Sequence, residues 1–115
     1  MDYVFEINDK TGRKIRLTKK QWGHIRRNHP NVESPDEILK TIQEPDKIII
    51  DEREGVNNLY KYFKHKKQKS KFLKVIVKYL NGNGFVLSAY YLRNIKWKDK
   101  WGFTTMKKGI IWRFL

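Results

Sequence analysis

His24 and His29 are two of the chain's three histidines, and Arg26 and Arg27 stand between them. Imidazole is the side chain suited to moving protons near neutral pH, and guanidinium matches the geometry of phosphate oxygens. Together they suggest acid–base chemistry on a phosphate ester. Other chemistries lack their residues. There is no cysteine, which excludes a disulfide framework and a thiolate zinc site. No Gly-rich phosphate loop, zinc-ligand spacing or serine elbow occurs. From Gly55 to Lys98 there is no carboxylate at all, which argues against a two-metal site. No metal ligands and no cofactor are expected.

The histidines must be held by a helix. Thr18 and Gln21 have capping-box spacing: the hydroxyl accepts from the Gln21 amide while the Gln21 side chain reaches back to the Thr18 amide. Leu17 and Trp22 are placed for a hydrophobic staple. Trp22, Ile25 and Arg26 share one side of this helix, and Lys20, His24 and Arg27 the other. Pro30 disfavours helical geometry at His29, so the helix ends there. In an unbroken helix residues five apart point about 140° away from each other. Both histidines therefore serve one site only if His29 has left the helix; otherwise one of them is structural.

At 115 residues the chain is a single domain, 1–115. Its net charge of +14 is unevenly distributed. Residues 1–54 hold 11 basic and 11 acidic residues, whereas residues 55–115 hold 15 basic and one acidic, Asp99. A lysine-rich composition alone does not remove every carboxylate from 44 consecutive residues. The asymmetry points to a polyanionic partner. The N-terminal residues lack a basic region followed by an apolar run, and no stretch approaches the ~20 apolar residues of a membrane span. A cytoplasmic protein with no membrane partner is expected.

Along the chain, residues 3–7 alternate as a strand, residues 8–12 turn, and residues 14–17 return. After the histidine helix, Ser34-Pro35-Asp36-Glu37 starts a second helix that Pro45 stops. Strands are expected at 46–51, 59–63, 72–80 and 85–92, with a hairpin turn at Asn81-Gly82-Asn83-Gly84 and a final strand within 109–114. The sum is α+β, with an antiparallel meander packed against the helices. Trp97, Trp101 and Trp112 are assigned to core packing.

The 85–92 strand carries Ser88 and Tyr90 on one face. If Leu87 and Ala89 face the core, Ser88 and Tyr90 lie beside Lys74 and Lys78 of the neighbouring strand. Tyr60 and Tyr62 add phenols suited to base stacking or to phosphate. Such a surface holds Mg²⁺ poorly but suits RNA cleavage, in which the substrate brings its own nucleophile, the 2′-hydroxyl. The protein then needs a base, an acid and cations around the phosphorane.

His24-Ile25-x-x-x-His29-Pro30, a capped helix ending near Pro45-Asp46, Leu59-Tyr60-x-Tyr62, Leu73-x-Val75-Ile76-Val77 and Val86-Leu87-Ser88-Ala89-Tyr90 occur in that order. Over residues 15–92 this resembles the phage-associated branch of the Barnase–EndoU–Colicin–RelE-like (BECR) metal-independent nucleases. The resemblance implies N-terminal helices packed on a four-stranded antiparallel sheet that carries the active site. The family's helix histidine corresponds to His24, with Arg27 and His29 as neighbours. Its late-strand hydroxyl, often Thr in relatives, corresponds to Ser88, and its tyrosine before the central strand to Tyr60 or Tyr62.

The expected function is a metal-independent endoribonuclease that leaves a 2′,3′-cyclic phosphate, with structured RNA such as tRNA as substrate. His24, Arg27, His29, Tyr62 and Ser88 are the catalytic candidates. Tyr60, Lys61, Lys64, Lys74, Lys78 and Tyr90 are the RNA-binding ones. An acidic antitoxin or immunity protein is the expected inhibitor of so basic a surface. The alternatives are a non-catalytic RNA- or DNA-binding module on the same fold and a phage interaction protein.

Overall fold

The two N-terminal strands are joined by a turn that one carboxylate organises. Tyr3–Asn8 (β1) and Lys14–Thr18 (β2) pair antiparallel. Between them Asp9 Oδ1 accepts from the Thr11 amide and the Arg13 amide, each at 2.9 Å, and from the Thr11 hydroxyl at 2.7 Å. This is the Asx-turn chemistry expected of residues 8–12. The computed structural model describes residues 2–95 and 112–113.

Helix α1 spans Lys19–Asn28 and helix α2 Pro35–Gln43. The start of α2 is a complete capping box: the Asp36 amide donates to Ser34 Oγ at 3.1 Å, and the Ser34 amide to Glu37 Oε2 at 3.2 Å. Strands β3 (Lys47–Ile50), β4 (Val56–Tyr62), β5 (Phe72–Leu80) and β6 (Asn83–Leu92) then run as an antiparallel meander. Asn81 and Gly82 both have positive φ, 49° and 83°, which is the two-residue turn that the Asn-Gly pair favours between twisted strands. Of the expected final strand, Trp112–Arg113 (β7) pairs with β3. The rest of it, and Trp97 and Trp101, lie outside the described residues.

The expected four-stranded antiparallel sheet is corrected in size and in sense. The strand order is β1-β2-β6-β5-β4-β3, with the two-residue β7 beyond β3, and β2 joins β6 in parallel. The helices are short and follow two strands instead of leading the chain. The physical reason lies in β2. Ile15 and Leu17 are wholly buried, and that apolar face is covered only when the hairpin is added to the main sheet. Gly84 permits the junction: opposite Ile15, a Cβ at this position would lie 2.6 Å from Ile15 Cδ1 and 3.1 Å from the Tyr79 ring.

Both helices cover one face of the sheet, α1 against β6 and β2, α2 against β5 and β4. Ile25, Ile38 and Ile42 from the helices meet Leu59, Leu73, Val75 and Val77 there. The other face is not bare. Val56, Asn58 and Tyr60, which alternate along β4 with the helix-facing residues, are buried too. The basic loop after β4 is fastened by Lys66, whose ammonium is withdrawn from solvent. It donates to Glu33 at 2.8 Å and to the Asn31 carbonyl at 3.2 Å, and it pairs with Glu37 at 3.3 Å. Among the described residues no helix is long and apolar enough to cross a membrane.

Candidate active site

A cleft of about 470 Å³ lies between α1 and the edge of β6, lined by Lys20, Gln21, His24, Ile25, Asn28, His29, Leu87 and Ser88. Its position follows from the parallel junction. β2 pairs with β6 only from Lys14↔Asn83 to Arg16↔Phe85 and then turns into α1 at Thr18. Among the described residues the later part of β6 has no strand partner on that side, and α1 runs beside it.

Three local devices shape the cleft. The Gln21 amide donates to Thr18 Oγ1 at 3.1 Å, as a cap requires, but the Gln21 side chain does not complete the capping box. It donates instead to the backbone carbonyl of Leu87. Leu87 itself is the extra residue of a β-bulge: Ile76 faces Ser88 and Val77 faces Val86, so Leu87 drops out of the alternation. It does not join Ala89 in the core but is 36% exposed beside the cleft. The third device is the helix end. His29 has φ −136° and ψ 68°, outside the helix, while its amide still donates to the Ile25 carbonyl at 2.7 Å. Arg26 holds the departing chain, donating to the carbonyls of Pro30 at 2.5 Å and Val32 at 2.8 Å.

With the helix ended there, His24 and His29 line the same cleft, with Ser88 across from them. The His29 ring stacks on Tyr90, centroids 5.2 Å apart. Arg27 reaches His24 Nδ1 at 3.3 Å. A guanidinium can only donate, so Nδ1 is the acceptor and Nε2 is the nitrogen left for a substrate. Lys74 Nζ lies 5.6 Å from the Tyr90 ring and 5.8 Å from the Tyr60 ring, continuing this row of groups across the sheet. Among the described residues no carboxylate lines the cleft. Among the described residues no group of three His, Asp or Glu is placed to hold a metal ion.

Other candidates lie elsewhere. Tyr60 is 1% exposed and offers no face to a base. Tyr62 is exposed but packs on Phe72, two strands from β6, with centroids 5.1 Å apart. Lys61 donates to the Glu44 carbonyl at 2.9 Å and Lys78 to the Glu54 carbonyl at 2.8 Å, each away from the cleft. Lys64 is on the exposed basic loop. Asn28 was not anticipated as a site residue, although its spacing of four from His24 puts both on one helix face. The bulge that presents Leu87 leaves no mark in the sequence.

Comparison with protein-family models, with curated proteins and with solved structures finds no match.

Proposed function

We propose that this protein is a metal-independent endoribonuclease that cleaves RNA in the cleft between α1 and β6. The observation that carries the reading is the convergence of His24 and His29 on one concave site with no carboxylate among its described residues, beside Ser88, Lys20 and Arg27. Two imidazoles provide a base and an acid. One takes the proton of the 2′-hydroxyl as O2′ attacks phosphorus; the other gives a proton to the departing 5′-oxygen. The products are a 2′,3′-cyclic phosphate and a 5′-hydroxyl. Lys20 and Arg27 supply positive charge for the phosphorane, and Ser88 a hydrogen bond to a phosphate oxygen. The order of motifs over residues 15–92, which resembles that of the phage-associated metal-independent nucleases, supports the same chemistry. Structured RNA, tRNA included, is the substrate class, the cytoplasm is the place of action, and an acidic antitoxin or immunity protein is the partner that would restrain it.

A second reading, a non-catalytic nucleic-acid-binding module, is favoured by the exposed Lys64, Lys67 and Lys69, which stand on the basic loop outside the cleft. One experiment separates the two. Total RNA is incubated in EDTA with the wild type, His24→Ala and His29→Ala. Cleavage by the wild type that each substitution lowers at least ~100-fold, with salt-sensitive RNA binding retained, supports the enzyme. Intact RNA that still shifts on a gel supports the binding module, and RNA neither cut nor bound rejects both.

A further inference from the structure

We propose that the bulge at Leu87 is the substrate-selecting element of this cleft, seating one unpaired nucleobase and so restricting cleavage to single-stranded or looped RNA; this rests on the ribonuclease reading above. Three observations combine. The cleft is mostly polar on its helix side, where Lys20, His24 and Asn28 lie with the buried Ile25, yet an exposed leucine sits on its strand side next to Ser88. The buried set switches from Gly84 and Val86 to Ala89 and Tyr91 at the bulge, so that Leu87 and Ser88 both stay out of the core. A bulge of this kind re-aims a side chain. Finally, the bulge is held from outside its own strand, because the Gln21 side chain donates to the Leu87 carbonyl instead of completing its own helix cap. An apolar side chain held in water beside a phosphate-type site calls for an apolar partner, and the flat face of a base is the one part of a nucleotide that provides it.

The shape of the cleft suits a single strand better than a duplex. In A-form RNA the bases are stacked on one another and paired, and proteins meet a wide, shallow groove of sugars and phosphates. A recess of about 470 Å³ between a helix and a strand is of a size to hold one nucleotide splayed from its neighbours, which a paired stem does not offer. With the phosphate beside His24 and Ser88, the adjacent base reaches Leu87, the residue next to Ser88 along β6.

The test uses a fluorescein-labelled 2′-O-methyl oligoribonucleotide, which lacks the nucleophile and cannot be cleaved, as a single strand and as a perfect duplex. Binding is followed by anisotropy in EDTA at fixed salt. The wild type is expected to prefer the single strand. Leu87→Ser is expected to weaken the single strand by roughly three- to tenfold, as loss of one apolar contact does, and to leave the duplex nearly unchanged. Leu87→Met restores the preference. A wild type that binds the duplex as tightly as the single strand overturns the proposal, as does a Leu87→Ser variant that shifts both or neither. A wild type that binds neither oligonucleotide overturns the ribonuclease reading and this proposal with it.

Discussion

His29 lies against the ring of Tyr90, with the ring planes 30° apart and the centroids separated by 5.2 Å. The residue that caps α1 is thereby fixed to one near the end of β6, beside the proposed active site. A stacked pair of this kind is worth roughly 0.5–1.5 kcal/mol beyond its area. A double-mutant cycle of His29→Ala and Tyr90→Ser, read by urea denaturation, is expected to show a coupling of that size. Tyr90→Phe keeps the stack and should leave stability within about 0.5 kcal/mol of wild type. RNA cleavage should fall in Tyr90→Ser but persist in Tyr90→Phe.

Lys66 is expected to be among the most sensitive charged positions. It is 8% exposed and pairs with Glu37, which is itself mostly buried, as well as with the exposed Glu33. Lys66→Ala leaves Glu37 without its cation and releases the basic loop from α2. The expected loss is about 3 kcal/mol, the low end for removing one partner of a buried pair, because Glu33 remains solvated. Neighbouring Lys67→Ala should cost less than about 0.5 kcal/mol. Equilibrium unfolding of both variants checks the contrast.

Stability should fall at the acid end through Asp9 and Asp51. Burial alone would raise both carboxyls, but it is outweighed at Asp9 by hydrogen bonds from Thr11, Arg13 and Tyr79. At Asp51 it is outweighed by Arg53 and Asn58. Both folded-state values therefore lie below the ordinary 3.8. Below that value the unfolded chain takes up protons more readily than the folded one, so the stability these groups contribute is present above about pH 4 and is lost as the pH falls further. Melting temperature measured from pH 7 to pH 2.5 should decline below pH 4. Asp51→Asn should shallow that decline.

Alkaline pH should act through Tyr91. Burial and the hydrogen bond its hydroxyl donates to Glu37 both hold this phenol well above its ordinary 10.0. A raised folded-state value means that the contribution is complete below pH 10 and is lost as the pH climbs past it. Tyr91→Phe should lower the melting temperature at pH 7 and flatten its fall above pH 10. An equally steep alkaline fall in the variant would mean that another group carries it.

Gly84 should tolerate no side chain. A Cβ there would press on Ile15 and on the Tyr79 ring at the parallel junction of β2 and β6. Gly84→Val is expected to cost roughly 1–3 kcal/mol by overpacking. Amide hydrogen exchange should show the loss first in β1 and β2, whereas Gly82→Ala, in open space at the turn, should spare those strands.

The local elements were legible in the residues because their signals are local. Ser34 with Pro35 and Glu37 starts α2, Asn81-Gly82 turns the β5–β6 hairpin, Pro30 ends α1 before His29, and alternation over 72–80 yields β5 at the same bounds. Residue type, spacing and the order of motifs point to His24, His29 and Ser88, and the cleft brings these three together. Tertiary structure decided the rest, because the deciding partners are far apart in the chain. Whether Gln21 closes its own cap or reaches the Leu87 carbonyl 66 residues away depends on what lies beside α1. Whether Tyr60 offers a stacking face depends on its burial within the folded sheet, between β5 and β3, not on its type. The parallel join of β2 to β6 was equally invisible, since it arises from the need to bury Ile15 and Leu17 and from the space at Gly84. That junction ends after Phe85, and because no other described strand pairs with β6 beyond it on that side, α1 brings the two histidines to a common cleft there.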